Sequence, residues 1–107
     1  IFGLDRVLNY PNPFSNHTEF QFETNLTNTE FDVTIHIQTI SGKIVKTIQT
    51  KVRSEGNRIA GIPWDGKDDF GSPLGNGIYI YSVKLRAVIN GETFSKTSNF
   101  QKLVKIR

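Results

Sequence analysis

The sequence predicts an all-β chain, an antiparallel β-sandwich of about seven short strands. Three observations carry this reading. Apolar and polar residues alternate at period two in several runs, most strictly over residues 31–38 and 78–89. Turn residues separate the runs at intervals of ~8–12 residues. Apolar spacing of three and four persists nowhere, because Gly, Asn and Pro interrupt each candidate helix.

In chain order, residues 1–8 form a lead-in strand or linker. Tyr10-Pro11-Asn12-Pro13-Phe14 follows. Its prolines cannot donate to a ladder, which assigns the piece to a sheet edge or corner, with Tyr10 and Phe14 capping the end of a core. Residues 15–17 make a turn. Residues 18–24 alternate, with Phe20 and Phe22 on one face and Glu19, Gln21 and Glu23 on the other. After a polar loop, Phe31, Val33, Ile35 and Ile37 point inward. Ser41-Gly42 turns the chain, and residues 43–52 return with Ile44, Ile48 and Val52 as the inner set and Lys46 as the exception. Residues 58–64 form a short strand whose Gly61 and Pro63 place it at an edge or bulge. Residues 64–77, which hold the only Trp, make a polar loop pinned to the core at both ends, with Trp64 packed in or over it. The longest strand, residues 78–89, lines one face with Tyr79, Tyr81, Val83, Leu85, Ala87 and Ile89. Asn90-Gly91 suits a type I′ hairpin turn. Residues 92–100 pair back, and residues 103–106 are a last strand or the end of that one.

The totals bound the function. The 107 residues amount to one domain. The chain starts at Ile1 and has no Met, so it is expected to be a piece cut from a longer protein. It has no Cys, so disulfides, thiolate nucleophiles and Cys-based zinc sites are excluded. Net charge is +3, but the basic residues are spread along the chain, unlike the clustered face of a nucleic-acid binder. No apolar run approaches the ~18 residues of a membrane-spanning helix, so direct membrane insertion is not expected.

Candidate chemistry is thin. Asp65, Asp68 and Asp69 resemble a calcium loop at a glance, yet calcium loops space their ligands at alternate positions and close with a Glu. The plain alternative is Asx turns that tie the backbone. No metal or other cofactor is expected. His17 lies in a turn and His36 on the polar face of a strand, neither beside a nucleophile. Phe20, Phe22, Tyr79 and Tyr81 read as core rather than a stacking platform. No catalytic residue is assigned, and the chain is expected not to be an enzyme.

Five motifs in order carry a resemblance. They are Tyr10-Pro11-Asn12-Pro13-Phe14, Ile40-Ser41-Gly42-Lys43-Ile44-Val45-Lys46, Trp64-Asp65-Gly66-Lys67-Asp68-Asp69-Phe70-Gly71, Leu74-Gly75-Asn76-Gly77-Ile78-Tyr79-Ile80-Tyr81 and Lys102-Leu103-Val104-Lys105-Ile106. Together they resemble the C-terminal domains of Bacteroidetes proteins exported by the type IX secretion system, most closely those of its gingipain-like peptidase sortase. They also resemble the Ig-like domain of the flagellar hook-capping protein. The resemblance implies an Ig-like sandwich over residues 1–107 that acts as a C-terminal sorting and docking domain. It implies export through the periplasm to the outer-membrane surface or beyond, with the translocon and an outer-membrane shuttle barrel as partners. The peptidase residues would lie elsewhere in the parent. A structural Ig-like spacer or adhesin-like module is the alternative. The basic and apolar final run places partner binding on Lys102, Leu103, Val104, Lys105, Ile106 and Arg107 and the sheet face beside them, as a terminal strand whose open edge templates another chain; the alternative is that the segment is only the closing strand of the core. Its deletion is expected to leave the sandwich largely folded. An edge-strand dimer is a further expectation for the isolated domain.

Overall fold

The computed structural model describes residues 2–107. Eight strands follow one another: β1 (Leu4–Tyr10), β2 (Thr18–Thr24), β3 (Glu30–Thr39), β4 (Ile44–Arg53), β5 (Arg58–Trp64), β6 (Gly77–Ile89), β7 (Glu92–Thr97) and β8 (Gln101–Lys105). They form two antiparallel sheets facing one another as an Ig-like sandwich. The smaller has the order β1-β2-β5. The larger has the order β4-β3-β6, with β7 and β8 sharing the far edge of β6.

Period two builds the core directly. Phe20 and Phe22 from one sheet meet Phe31, Val33, Ile35, Ile37, Tyr81, Val83 and Leu85 from the other, all buried. Ile59, Ile62 and Trp64 complete it from β5. Rings stack through the middle, with Phe20 edge-on to Tyr81 at 4.9 Å and Trp64 at 6.4 Å from Phe20. Such aromatic pairs add roughly 0.5–1.5 kcal/mol each beyond their buried area.

Two expectations change, and one left open, whether residues 103–106 are a strand of their own, is decided in favour of a separate strand. β4 presents Val45, not Ile44, to the core. The register slips between Ile37 opposite Lys46 and Gln38 opposite Ile44, so Val45 is an extra residue and Ile44 turns outward. Tyr10 is 72% exposed, and Phe14 alone caps the core. The last run is two strands. Ser98 Oγ accepts the Val83 N–H at 2.9 Å, the ladder breaks, and β8 resumes one residue out of step. The Asn90-Gly91 turn has positive φ at both residues, as a type I′ turn requires.

Tyr81 is buried, and its hydroxyl has no partner among the described residues. Burial pushes its phenol above the ordinary value. Folding therefore favours the neutral form. Its contribution is intact below the unfolded pKa near 10 and declines as pH rises above it. Tyr81→Phe is expected to match or exceed the wild type in stability at neutral pH, by up to about 1–2 kcal/mol. Urea titrations between pH 8 and 11 should show less alkaline loss for Tyr81→Phe than for wild type.

Candidate docking surface

The final strand does not offer an open edge. Asn12 Nδ2 donates to Lys102 O at 3.1 Å, and Val104 N donates to Asn12 Oδ1 at 3.0 Å. Phe14 N donates to Val104 O at 3.0 Å, and Ile106 N donates to Phe14 O at 2.8 Å. Residues 12–14 thus lie along β8 as a short ninth rail, with Phe14 in a parallel bridge to Lys105. Both X-Pro bonds of this corner, Tyr10-Pro11 and Asn12-Pro13, are cis. Its position is held from behind by buried polar groups. Thr18 Oγ1 donates to Pro11 O at 2.9 Å, Asn9 Nδ2 donates to Thr18 Oγ1 at 3.0 Å, and Asn12 Nδ2 reaches Asn9 Oδ1 at 3.3 Å.

The Trp-Asp-Gly loop locks the same corner. The Phe14 ring centre lies 5.4 Å from that of Trp64, and Lys105 Nζ sits over the Phe14 ring, 5.9 Å from its centre. Trp64 Nε1 donates to Lys67 O at 3.0 Å, which satisfies the buried indole. Gly66 passes beneath. A Cβ there would come within 2.9 Å of Lys105 Cε and 3.2 Å of Phe14, and its φ is +78°. Both space and backbone require glycine. Lys105 is buried along its stem and donates to Ile106 O at 3.1 Å.

The three aspartates are spent on backbone. Asp65 Oδ1 accepts from Lys67 N, and Asp68 Oδ1 accepts from both Phe70 N and Ser72 N at 2.9 Å. Asp69 Oδ1 accepts from Thr47 N at 3.2 Å and faces Lys46 Nζ at 3.7 Å, while Asp69 N donates to Val45 O. Asp69 therefore clamps the loop over the edge of β4. Among the described residues no group of three His, Cys, Asp or Glu converges to hold a metal. His17 meets Glu19 at 3.2 Å on the surface. His36 lies outward in register with Ser82 and Thr47.

The predicted contact residues divide by face. Leu103 is wholly buried, so β8 is core on its inner side, and removing residues 102–107 would empty part of that core. A Leu lost from a core costs about 2–5 kcal/mol, against the expectation that the sandwich survives deletion largely folded. Lys102 and Val104 face outward, and Ile106 and Arg107 are exposed. In register beside them lie Ile80, opposite Lys102, and Ile78, opposite Val104. Ile80 pairs with Gln38, and Gln38 with Ile44. The outer face at this end of the larger sheet is thus aliphatic, through Ile44, Ile78, Ile80, Val104 and Ile106, with Lys43, Lys102 and Arg107 at its rim. Sequence reading missed Ile78 and Ile80. Their signal was the unbroken apolar run Ile78-Tyr79-Ile80-Tyr81, which coats both faces of a strand at once. It also missed Phe70, 94% exposed on the loop that Asp68 ties down.

A family model described as the FlgD Ig-like domain matches residues 10–88. The crystal structure of dimeric latent PorU from Porphyromonas gingivalis is similar to the whole chain, at 25% identity with a TM-score of 0.80. That similarity covers 99% of this chain and 9% of the PorU chain, so the present chain spans under a tenth of that protein's length. The structure of FLGD from P. aeruginosa is 22% identical with a TM-score of 0.47, covering 80% of this chain and 60% of that one. No curated protein matches.

Because each Asp of the loop serves backbone donors, millimolar calcium is expected to leave the melting temperature unchanged. Asp68→Ala should lower stability by roughly 0.5–2 kcal/mol, since it hands two exposed N–H groups from a carboxylate to water. Both are read by thermal denaturation with and without calcium.

Proposed function

The chain belongs to the FlgD Ig-like domain family, and from that premise we propose that it is the non-catalytic export and docking domain of a type IX secretion protein of the sortase kind. Similarity of nearly the whole of this chain to a segment of PorU supports this reading. On it, the parent's peptidase chemistry lies elsewhere in the parent. The domain carries that parent through the periplasm and holds it at an outer-membrane shuttle barrel on the cell surface.

One observation carries the docking role. The outward side of β8 continues into an aliphatic sheet face, and the side chains at its margin are basic. Backbone addition at β8 is opposed by the corner already lying there. Docking therefore runs through side chains: Val104 and Ile106 with Ile78, Ile80 and Ile44, and Lys102 and Arg107 as the charged rim. Leu103 and Lys105 position this surface from the core side. The matching partner has an apolar patch edged with carboxylates. The translocon would meet the same face during export. A spacer domain of the hook-cap kind would hold no partner here.

Ile78→Asp and Val104→Asp place a charge in the centre of the face without entering the core. Each is expected to weaken binding to the purified shuttle barrel by about tenfold to a hundredfold, while circular dichroism stays that of the wild type. Lys102→Glu should slow association and reduce its salt dependence. Unchanged binding by all three would contradict the docking face and favour the spacer.

A further inference from the structure

The strand edges of the sandwich differ in how they are defended. At β8 the backbone is covered by residues 12–14. At β4, Asp69 occupies Val45 O and Thr47 N, and the rest of the edge carries Lys51 and Arg53. β1 is broken by a bulge with Arg6 at φ 50°. β5 contains Pro63 and a bulge at Gly61, φ +80°. These are devices that prevent edge pairing. β7 has none. Its six residues, Glu92-Thr93-Phe94-Ser95-Lys96-Thr97, run straight, without Pro, Gly or bulge, and only Phe94 is half-buried.

We propose that β7 pairs antiparallel with β7 of a second copy of this chain, about a twofold axis through Phe94. The backbone phase permits it. Ile89 and Glu92 close the two-residue turn, and at the far end Ser98 N donates to Val83 O at 2.8 Å. Hydrogen-bonded and non-bonded pairs alternate between these ends. Glu92, Phe94 and Lys96 therefore turn their N–H and C=O groups to β6, while Thr93 and Ser95 turn theirs outward. With the axis at Phe94, Thr93 of one copy faces Ser95 of the other, and the outward groups of both join the ladder.

The side chains choose this register. Phe94 meets Phe94 of the second copy across the close, non-bonded pair. Glu92 of each copy stands opposite Lys96 of the other, so the strand is self-complementary in charge. The same test fails at β4, where self-pairing would bring Lys51 and Arg53 against like charges. β7 pairs the C-terminal half of β6, and the aliphatic docking face lies on its N-terminal half. Pairing at β7 therefore leaves the docking face free, and the two proposals stand or fall separately.

Sedimentation equilibrium of the chain at millimolar concentration should show a monomer–dimer equilibrium. Glu92→Lys and Lys96→Glu each set like charges opposite one another twice per dimer and should weaken association about tenfold or more. The double exchange Glu92→Lys with Lys96→Glu should restore it. Ser95→Pro removes an outward N–H without touching the β6 ladder and should leave a folded monomer. Phe94→Cys, the only thiol in that chain, should form an intermolecular disulfide under mild oxidation. A wild type that is monomeric throughout overturns the proposal. So does a dimer that Ser95→Pro leaves intact, or one that the double charge exchange does not rescue.

Discussion

A sheet that stops leaves a row of backbone donors and acceptors facing water, and in this molecule the way β8 stops governs the rest. Phe14 solves the problem twice over. Its N–H and C=O bond to Val104 and Ile106, one on each side of Lys105. Its ring fills the end of the core between Trp64 and the Lys105 stem. With Asn12, four backbone groups of the final strand and the residue after it are satisfied by residues about ninety positions earlier in the chain. At ~0.5–1.5 kcal/mol net per bond, this closure is a large share of the ~5–15 kcal/mol that a domain of this kind has in all.

That constraint explains why four of the five sequence motifs lie together. The Pro-rich corner supplies the rail, the Trp-Asp-Gly loop supplies the ring and the gap beneath it, the Gly-x-Tyr strand supplies the neighbour of β8, and the final run supplies β8 itself. The fifth, around Ile40–Lys46 in the β3–β4 hairpin, is held to the same loop through Asp69. The shared family pattern is therefore first a folding requirement. Function is left to what this packing does not consume: the outward side chains of β8 and its neighbours. A single strand thus closes the core with Leu103 and Lys105 and presents Val104 to the outside, which is why the terminal strand cannot be removed as a detachable tag.

The sandwich was legible wherever one face of a strand is wet. β2 and β3 alternate cleanly, and their inner residues match the expected sets. Legibility failed where geometry departs from strict alternation. The extra residue at Val45 reverses Ile44, and composition cannot reveal it, since Ile44 and Val45 are equally apolar. The interruption at Ser98 depends on one hydroxyl accepting a main-chain N–H, which a run of small polar residues does not announce. The site was half legible. The final run drew attention, but as an open edge. Its closure rests on contacts between residues 12–14 and 102–106, and no local pattern encodes a pairing that distant. Asp65 and Asp68 form local turns that a sequence shows, because each sits two to four residues before the N–H it binds, whereas Asp69 binds Thr47 N on a distant strand, which no local pattern announces.

Amide hydrogen exchange at Val104 and Ile106 tests the closure most directly. Both N–H groups point away from β6 and toward residues 12–14. If the corner is an integral part of the fold, they exchange as slowly as amides of the β3–β6 ladder, and Asn12→Ala accelerates Val104 far more than any amide of β3. If instead they exchange in the native protein at rates typical of a frayed edge, β8 is an open strand and the account given for its backbone is wrong.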